Sequence, residues 1–383
     1  MIQLIGVSKS FKNNVVIDNI TMDFKDGELT VLIGPSGCGK TTTLKMINRL
    51  LPVSGGEILI DGQDIKTMDP VELRRNMGYV IQQGGLFPHM TVRQNIEIIE
   101  ELEGKDKYEI MKNTERLMKM VDMDPAEFLD RYPTELSGGQ RQRVGVIRAL
   151  ANDPDYVLFD EPFSALDPLT RCALQNELAD LHRKVGKTMI FVTHDMDEAI
   201  KVADRICILK DGKIVQYDTP EEILRNPANE FVESFVGVNR IWDSPEYIKV
   251  EDFMIREPVT CESDMKVEKC ITRMRTRRVD SLLVVAEENR LIGIVDRNAL
   301  AASTNPQTKA KEIMEVVGYV VNPQESIVDV LKMIEGSDVN NVPVVDSFGR
   351  LVGLLTSSSL VSTMSKKFIP EERVFDEEEG EQS

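Results

Sequence analysis

The stretch Leu29-Thr30-Val31-Leu32-Ile33, followed at once by Gly34-Pro35-Ser36-Gly37-Cys38-Gly39-Lys40-Thr41-Thr42, leaves this chain few architectures. The first five residues read as a strand buried on both faces, the signature of an α/β layer fold. The next segment fits G-x-x-x-x-G-K-[ST] in the context that motif requires, after a strand and before a helical stretch. Glycines at 34, 37 and 39 let the backbone turn its N–H groups inward around phosphate oxygens. The following helix adds the positive end of its dipole. Lys40 is expected to reach the β- and γ-phosphates and Thr41 to ligate Mg²⁺, with Gly34 to Thr42 lining the site. Cys38 reads as a small filler of the loop. The bland alternative, a Gly-rich turn with a chance lysine, does not account for the strand–loop–helix order.

Further short apolar runs, Val157-Leu158-Phe159 and Met189-Ile190-Phe191-Val192, each precede polar groups and extend the α/β reading across residues 1–237. Between Thr91 and Pro133 strand signals vanish. There Ile110, Met111, Leu117, Met118 and Val121 recur at helical spacing, which predicts a helical insert. Tyr156 to Pro162, YVLFDEP, is an apolar strand ending in two acids. Asp160 suits a Mg²⁺ contact, and Glu161 is placed to polarise an attacking water. Taken alone, such a pair is as often loop capping; after a phosphate-binding loop that reading loses weight. Glu135 to Leu150, ELSGGQRQRVGVIRAL, offers Ser137 as a helix cap and Gly138-Gly139 for close approach of a phosphate. An ordinary capped helix would look the same. A second phosphate cradle in a chain with one P-loop points instead to a phosphate shared between two copies.

At 383 residues two or three domains are expected. Near Gly237–Pro245 the first domain ends, with 238–250 read as a linker. Beyond it Met254–Leu300 and Met314–Leu360 align at a fixed offset of 60, pairing Met254 with Met314, Gly293 with Gly353 and Leu300 with Leu360. The copies are assigned to 251–306 and 307–365, packed together to bury faces neither buries alone. Residues 366–383 form an acidic tail; Glu371 to Ser383 hold seven acids and one arginine of a chain whose net charge is −18. That balance argues against nucleic acid as a partner. The five cysteines are scattered, as reduced thiols would be. MIQLIGVSKSF lacks a signal-peptide layout, and no apolar run approaches the roughly 18–20 residues of a spanning helix, so a cytosolic chain is expected.

Taken together, these motifs resemble the ATP-binding subunits of ABC transporters, for which Leu136 to Gln140, LSGGQ, is the signature sequence. The resemblance covers residues 1–237. It implies a head-to-tail ATPase dimer in which each ATP is held by one P-loop and by Ser137, Gly138, Gly139 and Gln140 of the other copy. By the same resemblance Phe11 stacks on adenine, and Gln82 (or Gln83 beside it) touches Mg²⁺ and faces a membrane permease. Asp167 becomes a dimer contact and His194 the switch histidine at the γ-phosphate, joining Glu161 and Lys40 in catalysis. Without the resemblance, a lone strand-end histidine would read as a surface residue.

The wording of TTTLKMINRLLPVSGGEILIDG and HDMDEAIKVADRI is similar to ATPases of bacterial importers for quaternary amines such as glycine betaine, carnitine, choline and proline betaine. Members of that group carry paired CBS repeats, which 254–300 and 314–360 resemble. The implied fold is thus an α/β P-loop ATPase domain with a helical subdomain, followed by a tandem CBS pair. Implied partners are a permease and a substrate-binding protein, and the implied location is peripheral, on the cytoplasmic face of the plasma membrane. Cyclic di-AMP is the ligand the resemblance offers for the pair, with Val259, Asn341, Leu354 and Ser357 facing it. Here the chain departs from the pattern. Ala299 and Ser359 stand where nucleotide-binding repeats place a ribose-holding aspartate, and Asn341 and Ser357 where cyclic di-AMP binders place an aromatic and an arginine. Arg273, Arg275, Arg277 and Arg278 read first as a solvated helix face, with anionic lipid as the alternative. Competing readings are an importer ATPase for another small solute, a soluble ABC ATPase, and a sensor dominated by the CBS pair.

Overall fold

A computed structural model describes residues 1–12, 14–82, 85–237, 240–303, 305–336 and 340–368. Gln83 and the acidic run 371–383 lie outside the described residues. Two compact units divide the chain, Met1–Val238 and Asn239–Ser383.

Among the described residues the first unit holds ten strands: β1 (Ile2–Phe11), β2 (Asn14–Phe24), β3 (Leu29–Ile33), β4 (Gly55–Ile60), β5 (Gln63–Asp64), β6 (Met77–Val80), β7 (Tyr156–Asp160), β8 (Thr188–Val192), β9 (Arg205–Lys210) and β10 (Lys213–Asp218). One sheet has the order β10-β9-β3-β8-β7-β6, parallel except where β10 pairs with β9. Every residue of β3, β7 and β8 is buried, as continuous apolar runs require. The second sheet, β2-β1-β4-β5, is antiparallel. One core joins Ile2, Leu4 and Ile58 of this sheet to Leu32, Leu158 and Ile190 of the other and to Leu44 and Ile47 of the P-loop helix Lys40–Ile47.

The expected helical insert is present as Val92–Leu102, Lys107–Met120 and Pro125–Phe128. Thr91 starts it with a reciprocal capping box, its hydroxyl accepting from the Gln94 N–H. Ile110, Leu117, Met118 and Val121 are buried, whereas Met111 is exposed. Position 111 lies about 100° round the helix from 110 and so leaves the apolar face.

In the second unit β11 (Thr260–Glu262) pairs parallel with β12 (Ser281–Val285), which pairs antiparallel with β13 (Leu291–Asp296). β14 (Asn341–Val345) and β15 (Leu351–Thr356) form the second hairpin. The repeats exchange their leading segments. Ile255 bridges Leu354, and Ile294 bridges Glu315. A Cβ on Gly293 would fall 2.8 Å from the Met314 sulfur, and one on Gly353 would fall 2.6 Å from the Met254 sulfur. The stretch read as a linker supplies Ile248 and Val250 to the core of Val342, Val344 and Leu355, so the unit's packing begins before residue 250. At the other end the helix Ser357–Phe368 runs into the first residues assigned to the tail.

Candidate nucleotide site

Strand register aligns the chemistry. Leu32 of β3 and Asp160 of β7 both pair with Val192 of β8, so three adjacent parallel strands end at one level. Past those ends come the P-loop, Glu161 and Thr193-His194, at the carboxyl edge where open α/β sheets hold ligands.

The P-loop is shaped by contacts only glycine permits. Gly34 has φ +154°, and a Cβ there would lie 2.0 Å from the Leu209 carbonyl oxygen. Gly39 has φ +106°, with Ile17 Cδ1 at 2.2 Å from the same imagined atom. Lys40 is buried, and its Nζ donates to the carbonyls of Gly34 at 2.7 Å and Pro35 at 3.1 Å. Cys38 is buried beside it, and burial pushes its thiol up against the opposing pull of Lys40. Pro35, Ser36 and Gly37 face solvent, and Thr41 and Thr42 are half-buried.

Thr41 Oγ1 donates to Asp160 Oδ1 at 2.7 Å, joining the start of the P-loop helix to the end of β7. Tyr79 of β6 donates to the other oxygen, Oδ2, at 3.3 Å. Burial and then the Asp160 charge raise the phenol far above its usual range, so it stays a donor. Glu161 follows with φ +45°, unusual for a residue with a side chain, and its N–H donates to the Val192 carbonyl at 3.0 Å. Its Oε2 lies 3.3 Å from Gln82 Nε2 and 3.4 Å from His194 Nδ1. One carboxylate thus gathers Gln82 and His194, while Lys40 and Thr41 open the P-loop helix, Thr41 being joined to the neighbouring Asp160. Thr41, Asp160 and Gln82 offer hydroxyl, carboxylate and amide oxygens, the hard donors that suit Mg²⁺.

Ser137 caps the helix Gly138–Leu150 through a reciprocal box with Gln140. Gly139 also has a packing reason: a Cβ would meet Thr170 Cγ2 at 2.7 Å. Asp167 caps the long helix Pro168–Val185 by accepting from the Thr170 N–H, which holds its carboxyl below the usual range. Phe11 is exposed at the end of β1, with Lys9 Nζ 4.9 Å from its ring centroid. Among the described residues no hydrogen bond or ion pair joins Ser137–Gln140 to 34–42.

Motif reading missed several supporting groups. Tyr79 is one. Asn95 is fully buried, and its amide accepts from Phe87 N–H and donates to the carbonyls of Phe87, Met90 and Thr91. Arg143 grips Glu177 with two nitrogens, tying the signature helix to the long helix. The local sequence does not mark them: Asn95 follows Arg93 and Gln94, and Arg143 lies in Gln140-Arg141-Gln142-Arg143.

In the second unit Asn341 opens β14 opposite Thr356, Leu354 bridges Ile255, and Ser357 begins the last helix. Val259 is half-buried against the core of Cys261, Leu282 and Val284. The Ser359 hydroxyl is engaged by Thr356, donating to its carbonyl at 2.8 Å and accepting from its N–H at 3.0 Å. Arg273, Arg275, Arg277 and Arg278 are exposed along and just past the helix Val267–Arg277. Among the described residues no helix is long and apolar enough to cross a membrane.

A P-loop between β3 and its helix, with a helical insert followed by a capped LSGGQ helix, defines an ATPase of the ABC class. Comparison with known proteins agrees. Residues 17–164 match the ABC transporter family model, and 250–303 and 310–366 each match the CBS domain. The chain is 50% identical over 363 residues to the glycine betaine/carnitine/choline transport ATP-binding protein OpuCA of Bacillus subtilis, covering 94% of this chain and 95% of that one. It is 40% identical to the osmoprotectant import ATP-binding protein OsmV of Salmonella typhimurium, over 95% and 96% of the two chains. Among solved structures, a dimeric post-hydrolysis state of the ATP-binding cassette MJ0796 with ADP and Pi matches at 34% identity and a TM-score of 0.52, covering 57% of this chain and 99% of that one. The chain belongs to the ABC transporter ATP-binding proteins that carry a C-terminal pair of CBS domains.

Proposed function

We propose that this chain hydrolyses ATP to drive import of quaternary amine osmoprotectants through a membrane permease supplied by a substrate-binding protein. The relatives' names support the substrate class. The convergence of Gln82 and His194 on Glu161, beside Thr41 and Asp160, carries the catalytic part. In this reading Lys40 and the P-loop amides of Gly34 to Thr42 hold the phosphates. Thr41, Asp160 and Gln82 would hold Mg²⁺, which neutralises phosphate charge when bound. Glu161 orients the attacking water. His194 stands where the γ-phosphate oxygens develop charge. Phosphoryl transfer gains mainly from such positioning and charge stabilisation. Ser137 to Gln140 and Asp167 face a second copy head to tail, a reading supported by the dimeric state of the similar cassette MJ0796. Phe11 offers its ring to adenine. The segment after Gln82 meets the permease, which would place the chain peripherally on the cytoplasmic face of the membrane. Residues 1–237 form the motor and the CBS pair a regulatory module.

The test is Glu161→Gln. The variant is expected to bind ATP and dimerise, while phosphate release falls by about 100-fold or more. Undiminished hydrolysis would remove Glu161 from the mechanism. For the regulatory half, cyclic di-AMP is one ligand to try by calorimetry on the full chain. Its case rests on family likeness against the Asn341 and Ser357 departures, and silence at high micromolar ligand would discard it.

A further inference from the structure

The long helix Pro168–Val185 begins directly after Asp167 and presents Arg171 and Gln175, one turn apart, to the helix Met196–Val202. Arg171 Nη2 donates to the Leu166 carbonyl at 3.1 Å, inside the loop that carries Asp167. On its other side Nη1 lies 3.8 Å from Asp195 Oδ2 and Nε 3.8 Å from Glu198 Oε1. Glu198 is only 5% exposed. Its second oxygen accepts from Thr193 Oγ1 at 2.5 Å, and that hydroxyl accepts in turn from the Asp195 N–H at 3.0 Å. His194 is therefore flanked by two residues that are both fastened to the Glu198–Arg171 pair. Gln175, one turn on, accepts from Lys201 Nζ of the helix Met196–Val202 at 3.3 Å.

The contact is not a saturated one. Arg171 Nε is buried without a hydrogen-bond partner, and both of its ion-pair distances exceed hydrogen-bond length. A buried donor left unmade is costly, so a small approach of the two loops gains a bond and a retreat loses an ion pair. Such a pair responds steeply to displacement.

We infer that Arg171 and Glu198 are positioning residues for His194, transmitting displacement of the Asp167 loop to the switch loop and so setting His194 against Glu161. The inference rests on the reading above that Asp167 meets a second copy. Pressure on Asp167 from that copy would move Leu166 and Arg171, and through Glu198 and Thr193 the backbone on both sides of His194. Hydrolysis in one site would then wait on the seating of the dimer.

The experiment uses the full chain with Arg171→Ala, Arg171→Lys, Glu198→Gln and their double. Steady-state hydrolysis gives kcat and KM for ATP, and ATP-driven dimerisation is read in the Glu161→Gln background. Arg171→Ala and Glu198→Gln are each expected to lower kcat by about ten-fold or more, with KM and dimerisation within about two-fold. The double should be no worse than the poorer single, and Arg171→Lys should recover part of the loss. In a His194→Ala background neither change should lower kcat further. Turnover within about two-fold of the parent overturns the proposal, as do losses that add in the double or persist without His194. If Arg171→Ala does not fold, Glu198→Gln, which keeps size and shape, decides alone. Failure of Glu161→Gln to dimerise would instead sink the dimer reading, an outcome seen before any Arg171 variant is made.

Discussion

Gly39 and Gly37 both take left-handed backbone, yet their surroundings differ. A methyl at 39 would strike Ile17 and come within 3.0 Å of the Val16 carbonyl, whereas at 37 it would meet open space. Gly39→Ala is expected to cost about 2–4 kcal/mol and abolish nucleotide binding, and Gly37→Ala only about 1–2 kcal/mol of backbone strain. Thermal unfolding with and without ATP separates the two. Glu198 supplies a second prediction at this scale. Burial raises its carboxyl above the usual range, opposed by the Thr193 hydroxyl and Arg171 and reinforced by Asp195. The native state thus holds this proton more tightly than the unfolded chain. Its stabilising effect is present below the ordinary carboxylate pKa and is lost as pH rises through the raised one. Glu198→Gln carries no such titration, so its Tm relative to the parent should improve over that rising window and then level off. A constant difference across the window would contradict the raised carboxyl. Lys40, Thr41, Asp160 and Glu161 were legible in the sequence because their spacing to a strand end dictates their place. Tyr79, Arg171 and Glu198 were not, because their partners come from strands and helices brought together only by the sheet order.

The helical insert shows the same division one scale up. Its existence followed from the period of apolar residues, which depends on nearest turns alone. The shape of the loop that precedes it did not. Phe87 to Thr91 is held by the buried Asn95 amide through four hydrogen bonds, all to backbone. Nothing in the local pattern marks that asparagine as different from an exposed one. Asn95→Ala removes all four bonds; the Phe87 and Thr91 carbonyls keep the backbone N–H groups of Met90 and residue 95, while the Met90 carbonyl and the Phe87 N–H lose the amide, at a cost of about 1–3 kcal/mol. Asn95→Asp should be at least as damaging, because a carboxylate cannot donate to those carbonyls. Hydrogen exchange at residues 87–91 should rise in both variants ahead of the sheet. Equal protection in parent and variants would show that packing, and not Asn95, sets the loop.

At the scale of the whole molecule, the repeat at offset 60 foretold two similar units but not their exchange of leading segments. Alignment reports likeness along the chain, while the exchange depends on which copy each Met254 or Met314 segment packs against. Gly353 accommodates Met254, and Gly293 accommodates Met314. Asn289 donates to the Leu351 carbonyl and Arg350 reaches Glu288, so the turns of the two hairpins are tied as well. The second unit therefore has two apolar clusters but no boundary at which one repeat can be cut away whole. Residues 248–253 lie with Val342 and Leu355, and Ala310 with Leu282 and Val295. A fragment spanning 240–368 should unfold in urea as one cooperative transition. One spanning 240–306 should fail to fold, because its first segment loses the hairpin it packs on and its own hairpin loses Ala310 and Met314. Far-UV circular dichroism and the urea slope of the two fragments check this. A native-like transition in the shorter fragment would mean that each repeat is self-sufficient, and that the exchanged segments only dress a fold already formed.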